Sequence, residues 1–267
     1  MTIQLTTNYS DPLVELIRAK QAPVDGIEVG PWFTPQKIGQ LQQEFPAWRF
    51  YFHAGGLMWR YRSMNEALAR LRKYLTHFQD PWVSLHIELL PLHVYRLSSR
   101  LGLHFPPPKP ENAINKILER LSQVKAVLEV PIILENLASL PAPKYAYAAL
   151  PTTIREIVAS TDSGLLLDLA HARVAASYQG MEVERYLQKL PLERVRQIHV
   201  SGARVQRGHL YDAHESLGVE DYALLKWTLE RTQPQIVTLL NISAQRKHCV
   251  SNYEICGRLS PAEEQSH

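Results

Sequence analysis

Eight short apolar runs, each followed by a longer segment with helical spacing, constrain this chain more than any other feature. The runs are rich in branched aliphatic residues, as in "DGIEVG" and "GLLLDLA", and segments such as "MNEALARLRKYLTHF" repeat apolar residues three and four positions apart. Strand alternating with helix predicts a parallel sheet with helical crossovers. The predicted strands cover residues 3–10, 25–30, 49–55, 82–90, 131–138, 164–170, 195–202 and 234–243.

Eight strand–helix units are the number that closes a (β/α)8 barrel. An open doubly wound sheet could use the same units, but no glycine-rich phosphate-binding motif follows the first strand, so the barrel is preferred. Residues 1–259 are expected to form this single α/β domain, a TIM barrel, and residues 260–267 a disordered polar tail. Long connections at 91–110 and 202–220 follow the fourth and seventh strands, where barrel loops carry function.

The composition of the 267 residues, 45% hydrophobic and 21% charged, is typical of a soluble globular protein. The formal charge of +3 is small and the basic residues are spread along the helices, so no nucleic-acid partner is expected. No signal peptide and no membrane-spanning stretch are recognisable, and we expect a cytoplasmic protein without a membrane partner. Cys249 and Cys256 are expected to be free thiols.

Side chains of metal-binding type stand at the predicted carboxyl ends of the strands, where the active sites of such barrels form. Arg204 and Arg207 follow in the loop after the seventh strand and could bind an anionic substrate. The candidate metal ligands are His53, His86, Glu135, Asp168, His171, His199, Asp212 and His214, with Glu88 and Asn136 as weaker or supporting candidates.

Each of these residues also has an ordinary structural explanation. Glu135 could form a buried salt bridge, and Asp168 could cap the following helix. Many such residues at one rim are hard to explain by packing, because buried carboxylates and imidazoles are costly unless they are paired or bound to metal. Imidazole and carboxylate without thiolate suit iron, manganese, zinc or cobalt. The set is too large for one tetrahedral ion, so two or three ions bridged by Glu135 or Asp168 are predicted.

Six motifs occur in a characteristic order: "FHAGG", "SLHIE", "PIILENLAS", "GLLLDLAHARVAA", "VRQIHVSGA" and "YDAHE". From about Gly26 to Ser243 the chain therefore resembles the multinuclear non-haem iron-dependent oxidative enzymes, the family of the iron enzyme of methanobactin biosynthesis. The resemblance implies a TIM barrel of the xylose-isomerase-like class that holds two or three iron ions. It further implies dioxygen-dependent oxidation of a small cysteine-containing peptide or a related small molecule, often with a partner protein that recognises the peptide.

The family resemblance implies the same eight metal ligands, and the chain departs from the family motifs at two positions. Ala203 stands where the family motif has a second histidine, and Asn241 stands where the last strand normally ends in glutamate. Because an asparagine side chain is neutral and a weaker oxygen ligand, the departures imply that one ion is absent or loosely held.

Two other function classes remain open. A non-redox enzyme that uses zinc or manganese, either a sugar isomerase or epimerase or an endonuclease-like phosphodiesterase, would need the same ligand types. A binding or scaffold protein on a divergent barrel is the third hypothesis, suggested by Ala203 and Asn241. The ordered set of histidines and carboxylates favours the iron enzyme.

Overall fold

The fold is taken from a computed structural model, which describes residues 2–21, 24–60, 63–78, 82–88, 101–102, 108–138, 143–206 and 208–240. Several predictions lie outside these residues: those for Arg207, Asn241, Cys249, Cys256 and the tail 260–267.

Eight parallel strands close into a barrel, which confirms the predicted fold. The first and last of them pair with each other, and the order around the barrel is β1, β10, β7, β6, β5, β4, β3, β2. The barrel strands are β1 (Gln4–Asn8), β2 (Gly26–Val29), β3 (Arg49–Gly55), β4 (Val83–His86), β5 (Ile132–Glu135), β6 (Gly164–Asp168), β7 (Val195–Val200) and β10 (Ile236–Leu239). Two further strands, β8 (Gly202–Gln206) and β9 (His209–Glu215), form a separate sheet.

Helices connect the strands and cover the outside of the barrel. Their amino ends carry the expected signals: Ser10 Oγ accepts a hydrogen bond from the amide of Leu13, and Thr34 Oγ1 accepts one from Lys37. The described helices are α1 (Asp11–Arg18), α2 (Pro35–Glu44), α3 (Leu57–Arg60), α4 (Met64–Leu75), α5 (Pro110–Leu128), α6 (Pro151–Ser160), α7 (Leu169–Tyr178), α8 (Val183–Leu187) and α9 (Val219–Leu229). Within the described part of the chain, none of them has the length and apolarity needed to span a membrane.

The strands divide their side chains between an apolar core outside the barrel and a polar interior. Because successive side chains of a strand point to opposite faces, Ile198 and Val200 of β7 pack in the core beneath the helices. The alternate side chains of β7, Gln197 and His199, point into the barrel interior. Gln197 and His199 form hydrogen bonds with Glu28 of β2, which lies across the barrel from β7. The upper interior of the barrel is therefore built from buried polar groups.

The connection after β7, predicted only as a long loop, folds as an antiparallel hairpin of β8 and β9. Its base is tight, since a Cβ at Gly202 would lie 2.3 Å from the carbonyl oxygen of Ser216. Arg204 holds this base together by an ion pair of 3.0 Å with Glu215 and a hydrogen bond to the Ser216 carbonyl. The suggestion that Arg204 binds substrate stays a prediction. The hairpin packs against α7 and brings Asp212 and His214 to the barrel rim.

Candidate metal centre

Five adjacent barrel strands place metal-binding side chains at their carboxyl ends. His53 lies on β3, and His86, Glu135 and Asp168 are the last residues of β4, β5 and β6. Strand register then aligns them: His86 is paired with Glu135, and Asp168 with His199 of β7. Sequence reasoning had placed these residues at one rim, and the barrel brings them into one cluster.

His53, His86 and Glu135 form the first group. The Nε2 atoms of the two histidines lie 3.1 Å apart, and Glu135 Oε2 lies 3.4 Å from that of His53 and 3.1 Å from that of His86. Atoms that share one ion at bond lengths of about 2.1 Å stand about 3.0–3.4 Å from one another. The spacing of the three atoms fits a single transition-metal ion.

His53 is suited to metal binding by its surroundings. Its Nδ1 lies 2.8 Å from Ser84 Oγ, so a neutral ring that donates this proton to Ser84 presents an unprotonated Nε2 to the group. Burial lowers the pKa of His53 to about 4, because the carboxylates of Glu135 and Glu28 raise the pKa by less than burial lowers it. The ring is therefore neutral at pH 7, the state in which histidine binds metal.

Asp168 is both a helix cap and a member of the cluster. Its Oδ1 accepts a hydrogen bond of 2.8 Å from the amide of His171 and so caps α7. The side chain of Asn136 clamps the backbone of Asp168, accepting from its amide at 2.8 Å and donating to its carbonyl at 3.0 Å. The cap interpretation of the sequence thus applies to Oδ1, whereas Oδ2 faces the cluster, and metal binding by Oδ2 stays a prediction.

Glu135, Asp168 and His199 form a second group, whose ligand atoms lie within 4.8 Å of one another. One atom of each residue is buried and makes no hydrogen bond among the described residues: Glu135 Oε2, which has only the ion-pair contacts with His53 and His86 given above, Asp168 Oδ2 and His199 Nδ1. A buried polar atom without a partner costs about 1–3 kcal/mol, so three at one place require an explanation. A bound cation would satisfy all three, and the residues present fit one.

The charges of the cluster also favour a cation. Burial raises the pKa of Asp168, and the nearby carboxylates of Glu135 and Asp212 raise it further. Burial acts in the same direction on Glu135, but His86 and His53 outweigh it and hold the pKa of Glu135 well below its usual range. Carboxylates buried this close together repel one another, and a divalent cation between them would remove the repulsion.

Asp212, His171 and His214 form a third group at the hairpin. Asp212 Oδ2 lies 3.2 Å from Nε2 of His171 and 2.8 Å from Nε2 of His214. His171 Nδ1 is 2.8 Å from the carbonyl oxygen of Asn136, which leaves Nε2 directed to Asp212. His214 has a positive φ of 49°, and its buried Nδ1 has no hydrogen-bond partner within the described structure.

One residue of the cluster was missed by sequence reasoning. Glu28 is buried on β2, with Oε2 3.0 Å from His199 Nε2. Together with His53 and His199 it forms another group of potential ligands. The sequence offers one indication of Glu28, because a carboxylate interrupts the apolar strand "DGIEVG". No histidine lies beside Glu28 in the sequence to suggest that it belongs to a metal site.

Two supporting candidates have different positions. Asn136 is fully buried and bound to the backbone of Asp168, as described above. Glu88 lies two residues beyond the end of β4, near Gly56, where a Cβ would approach Glu88 Oε2 to 2.6 Å. Ala203, the position at which the motif suggested a missing histidine, is paired with Asp212 in the hairpin, so it lies beside the third group.

We expect Gly55→Ala to weaken metal binding as well as the fold. Gly55 has a φ of +53°, and a Cβ there would lie 3.3 Å from Nε2 of both His53 and His86. The variant should lose about 1 kcal/mol of unfolding free energy and should bind metal more weakly, because the two rings must shift. Gly180→Ala is the matched control, since Gly180 has a φ of +60° with nothing within 4 Å of the added Cβ. Equal metal affinities of the two variants would contradict the prediction.

We expect the metal-free protein to lose stability as the pH rises from 7 to 10. Burial lowers the pKa of His199, but Glu28 outweighs it and raises the pKa to about 9, against 6.5 for an ordinary histidine. Stability from the charged ring is complete below pH 6.5 and is lost as the pH rises through about 9. The pKa values of His171 and His214 are raised too and act in the same direction.

Urea unfolding of chelator-treated and metal-loaded protein at pH 7 and pH 9.5 measures this loss. The metal-loaded protein should lose less stability, because bound metal replaces the protons. A metal-free stability that is constant or rises over this range would contradict the prediction.

Residues 16–247 match the sequence profile of a family described as RiPP precursor modification enzyme MbnB/TglH/ChrH. The chain is similar to a UPF0276 protein of Paraburkholderia phytofirmans, 34% identical over 159 residues that cover 55% of this chain and 48% of that protein. A UPF0276 protein of Caulobacter vibrioides is 30% identical over 148 residues, 55% of this chain and 51% of that protein. The chain thus spans about half the length of the curated relatives it matches.

Solved structures with the same fold include a D-tagatose 3-epimerase-like protein, with a TM-score of 0.63, 16% identity and coverage of 96% of this chain and 97% of that one. A xylose isomerase-like TIM barrel protein from Mycobacterium smegmatis in complex with magnesium has a TM-score of 0.61 and 14% identity, over 97% of this chain and 96% of that one. At these identities the likeness concerns the fold alone, and it confirms the xylose-isomerase-like barrel.

Proposed function

Because the chain belongs to the family of RiPP precursor modification enzymes MbnB/TglH/ChrH, we propose that it is a multinuclear non-haem iron enzyme that oxidises a peptide with dioxygen. Membership confirms the family resemblance of the motifs and supports an enzyme with a peptide substrate. The observation that carries the proposal is the convergence of Glu135 Oε2, Asp168 Oδ2 and His199 Nδ1, three buried atoms for which the described structure offers no hydrogen-bond partner.

We propose a division of the ligands between two ions. His53, His86 and Glu135 would hold the first ion, and Glu135, Asp168 and His199 the second, with Glu135 shared. A shared carboxylate suits a pair of neighbouring ions, since its two oxygens can serve different metals. Imidazole and carboxylate ligands are those of non-haem iron sites, although manganese and zinc accept the same donors.

A third ion, if bound, would lie at His171, Asp212 and His214. Ala203 stands where the family motif has a second histidine, so this site lacks one imidazole ligand. We therefore expect the third ion to be bound most weakly of the three. The chain's other departure from the family motifs is Asn241, where a neutral amide replaces a carboxylate. We expect this change, too, to weaken the binding of one ion.

The chain's own residues would prepare the site for the reaction. Iron bound there would supply electron transfer to dioxygen, and a four-electron oxidation of the peptide balances the reduction of one dioxygen to two waters. His171 connects the second and third groups, with Nδ1 3.3 Å from Glu135 Oε1 and Nε2 3.2 Å from Asp212. Asn136 fixes the backbone that carries Asp168, and the hairpin holds Asp212 over the rim.

Metal analysis of protein purified without oxygen tests the proposal. We expect about two equivalents of iron, and dioxygen uptake that depends on a cysteine-containing peptide encoded near the gene, alone or with a recognition protein. Activity with manganese or zinc in the absence of oxygen would instead support an isomerase, epimerase or phosphodiesterase. Absence of any bound transition metal would support a binding or scaffold protein.

A further inference from the structure

Glu28 lies at the centre of a chain of hydrogen bonds that crosses the barrel interior below the metal cluster. Its Oε2 accepts from Nε2 of Gln197 at 2.7 Å and lies 3.0 Å from Nε2 of His199. The second hydrogen of the Gln197 amide goes to Thr238 Oγ1 at 2.8 Å, and Thr238 is bonded to Thr6 at 2.8 Å. The Glu28 carboxylate is therefore held by Gln197 and His199 of β7, and Thr238 of β10 orients the Gln197 amide.

His199 uses its two ring nitrogens differently. Nε2 faces Glu28, whereas the buried Nδ1 lacks a hydrogen-bond partner in the described structure and belongs with Glu135 and Asp168. Gln197 Nε2 also lies 3.2 Å from His199 Nε2, but the two hydrogens of the amide go to the nearer acceptors, Glu28 Oε2 at 2.7 Å and Thr238 Oγ1 at 2.8 Å. The remaining donor for Glu28 Oε2 is consequently the Nε2–H of His199.

We propose that Glu28 is a positioning residue that fixes His199 in its Nε2-protonated form and so directs the Nδ1 lone pair to the metal. The inference rests on the proposed metal-dependent function and extends it to a residue outside the predicted set. A carboxylate that accepts the second N–H of a histidine ligand fixes the ring and makes its other nitrogen a stronger donor.

Glu28 could also be a metal ligand itself, because it groups with His53 and His199. Two observations argue against this role. Glu28 Oε2 already accepts two hydrogen bonds, and the buried atoms without partners lie on Glu135, Asp168 and His199 rather than on Glu28. With Oε2 engaged in this way, Glu28 is better suited to support His199 than to bind metal through this oxygen.

The hydrogen-bond partner of His199 differs in charge from the nearest partners of Nδ1 in His53 and His171. His53 Nδ1 faces the neutral hydroxyl of Ser84, and His171 Nδ1 lies closer to the backbone carbonyl of Asn136, at 2.8 Å, than to Glu135 Oε1, at 3.3 Å. Glu28 instead offers His199 a buried carboxylate. Among these three rings, His199 is thus expected to be the strongest electron donor to the metal.

The test is a double-mutant cycle read by Co²⁺ titration, which needs neither turnover nor dioxygen. Glu28→Gln should weaken Co²⁺ binding by about 10- to 100-fold, and His199→Ala should weaken it more. Because Glu28 acts through His199, adding Glu28→Gln to His199→Ala should cause no further loss of affinity. If His199→Ala does not fold, His199→Asn takes its place in the cycle.

Thr6→Val is the matched control, since it alters the same buried chain of hydrogen bonds without touching Glu28 or His199; it should change the affinity by less than about 2-fold. Wild-type affinity of Glu28→Gln would overturn the proposal, and so would losses that multiply in the double variant, which would make Glu28 an independent ligand. A wild-type protein that binds no Co²⁺, Fe²⁺ or Mn²⁺ would instead refute the proposed metal-dependent function, and the two failures are thereby distinguished.

Discussion

Glu135→Gln is expected to lose metal binding at both proposed ion sites. The carboxylate of Glu135 meets the two histidines of the first group through Oε2 and His171 through Oε1. An amide of the same shape has no charge and offers one acceptor in place of two. We expect metal affinity to fall by more than the roughly 10- to 100-fold typical of residues that only support a ligand.

The Glu135→Gln variant should still fold, but with lower stability than the wild type. The variant leaves buried imidazoles without their carboxylate, which should lower the metal-free unfolding free energy by about 1–3 kcal/mol. Equilibrium dialysis with Fe²⁺ or Mn²⁺, followed by elemental analysis, measures the binding. Glu156→Gln, at an exposed position of α6, is the control and should behave as the wild type. Unchanged metal content of Glu135→Gln would refute the central role of this residue.

Asp168→Asn and Asp168→Ala are expected to separate the two roles of Asp168. In Asp168→Asn the oxygen can still accept the hydrogen bond from His171, whereas the amide nitrogen that replaces Oδ2 cannot bind metal. Metal affinity should fall at least about 10-fold in both variants. Only Asp168→Ala should also lose the helix cap, at a cost of about 1 kcal/mol.

The metal-free Asp168→Asn protein should be at least as stable as the wild type at pH 7. Burial raises the pKa of Asp168 above its unfolded value, so the ionised side chain lowers stability at neutral pH, and a neutral amide removes this cost. Thermal unfolding with chelator and metal titration without it measure the two effects. If Asp168→Asn binds metal as tightly as the wild type, Asp168 is a helix cap and no ligand.

The sequence predicted the barrel because the period of its apolar residues is a local property. Strand runs such as 164–170 and helical segments such as 64–78 each show their own spacing, and eight repeats of this pattern leave few ways to close a sheet. The family motifs added the order of the polar residues. Their presence at one rim followed from the rule that parallel strands end at the same edge.

Other features depended on contacts between residues far apart in the chain. The hairpin of β8 and β9 was predicted only as a loop, because its short, partly buried strands have no apolar alternation to mark them. Glu28 and His199 are 171 positions apart, and only the closure of the barrel brings them to 3.0 Å.

The sequence by itself determined the barrel, the family and the residue types that meet at the rim, since these follow from local periodicity and from the order of motifs. The tertiary structure decided which atoms face one another. It directed Asp168 Oδ1 to the helix and Oδ2 to the cluster, and it left the Nδ1 of His199 opposite two carboxylates. Such choices depend on strand register and on ring orientation, which are fixed by distances of a few ångströms across the barrel and leave no periodic signal in the chain.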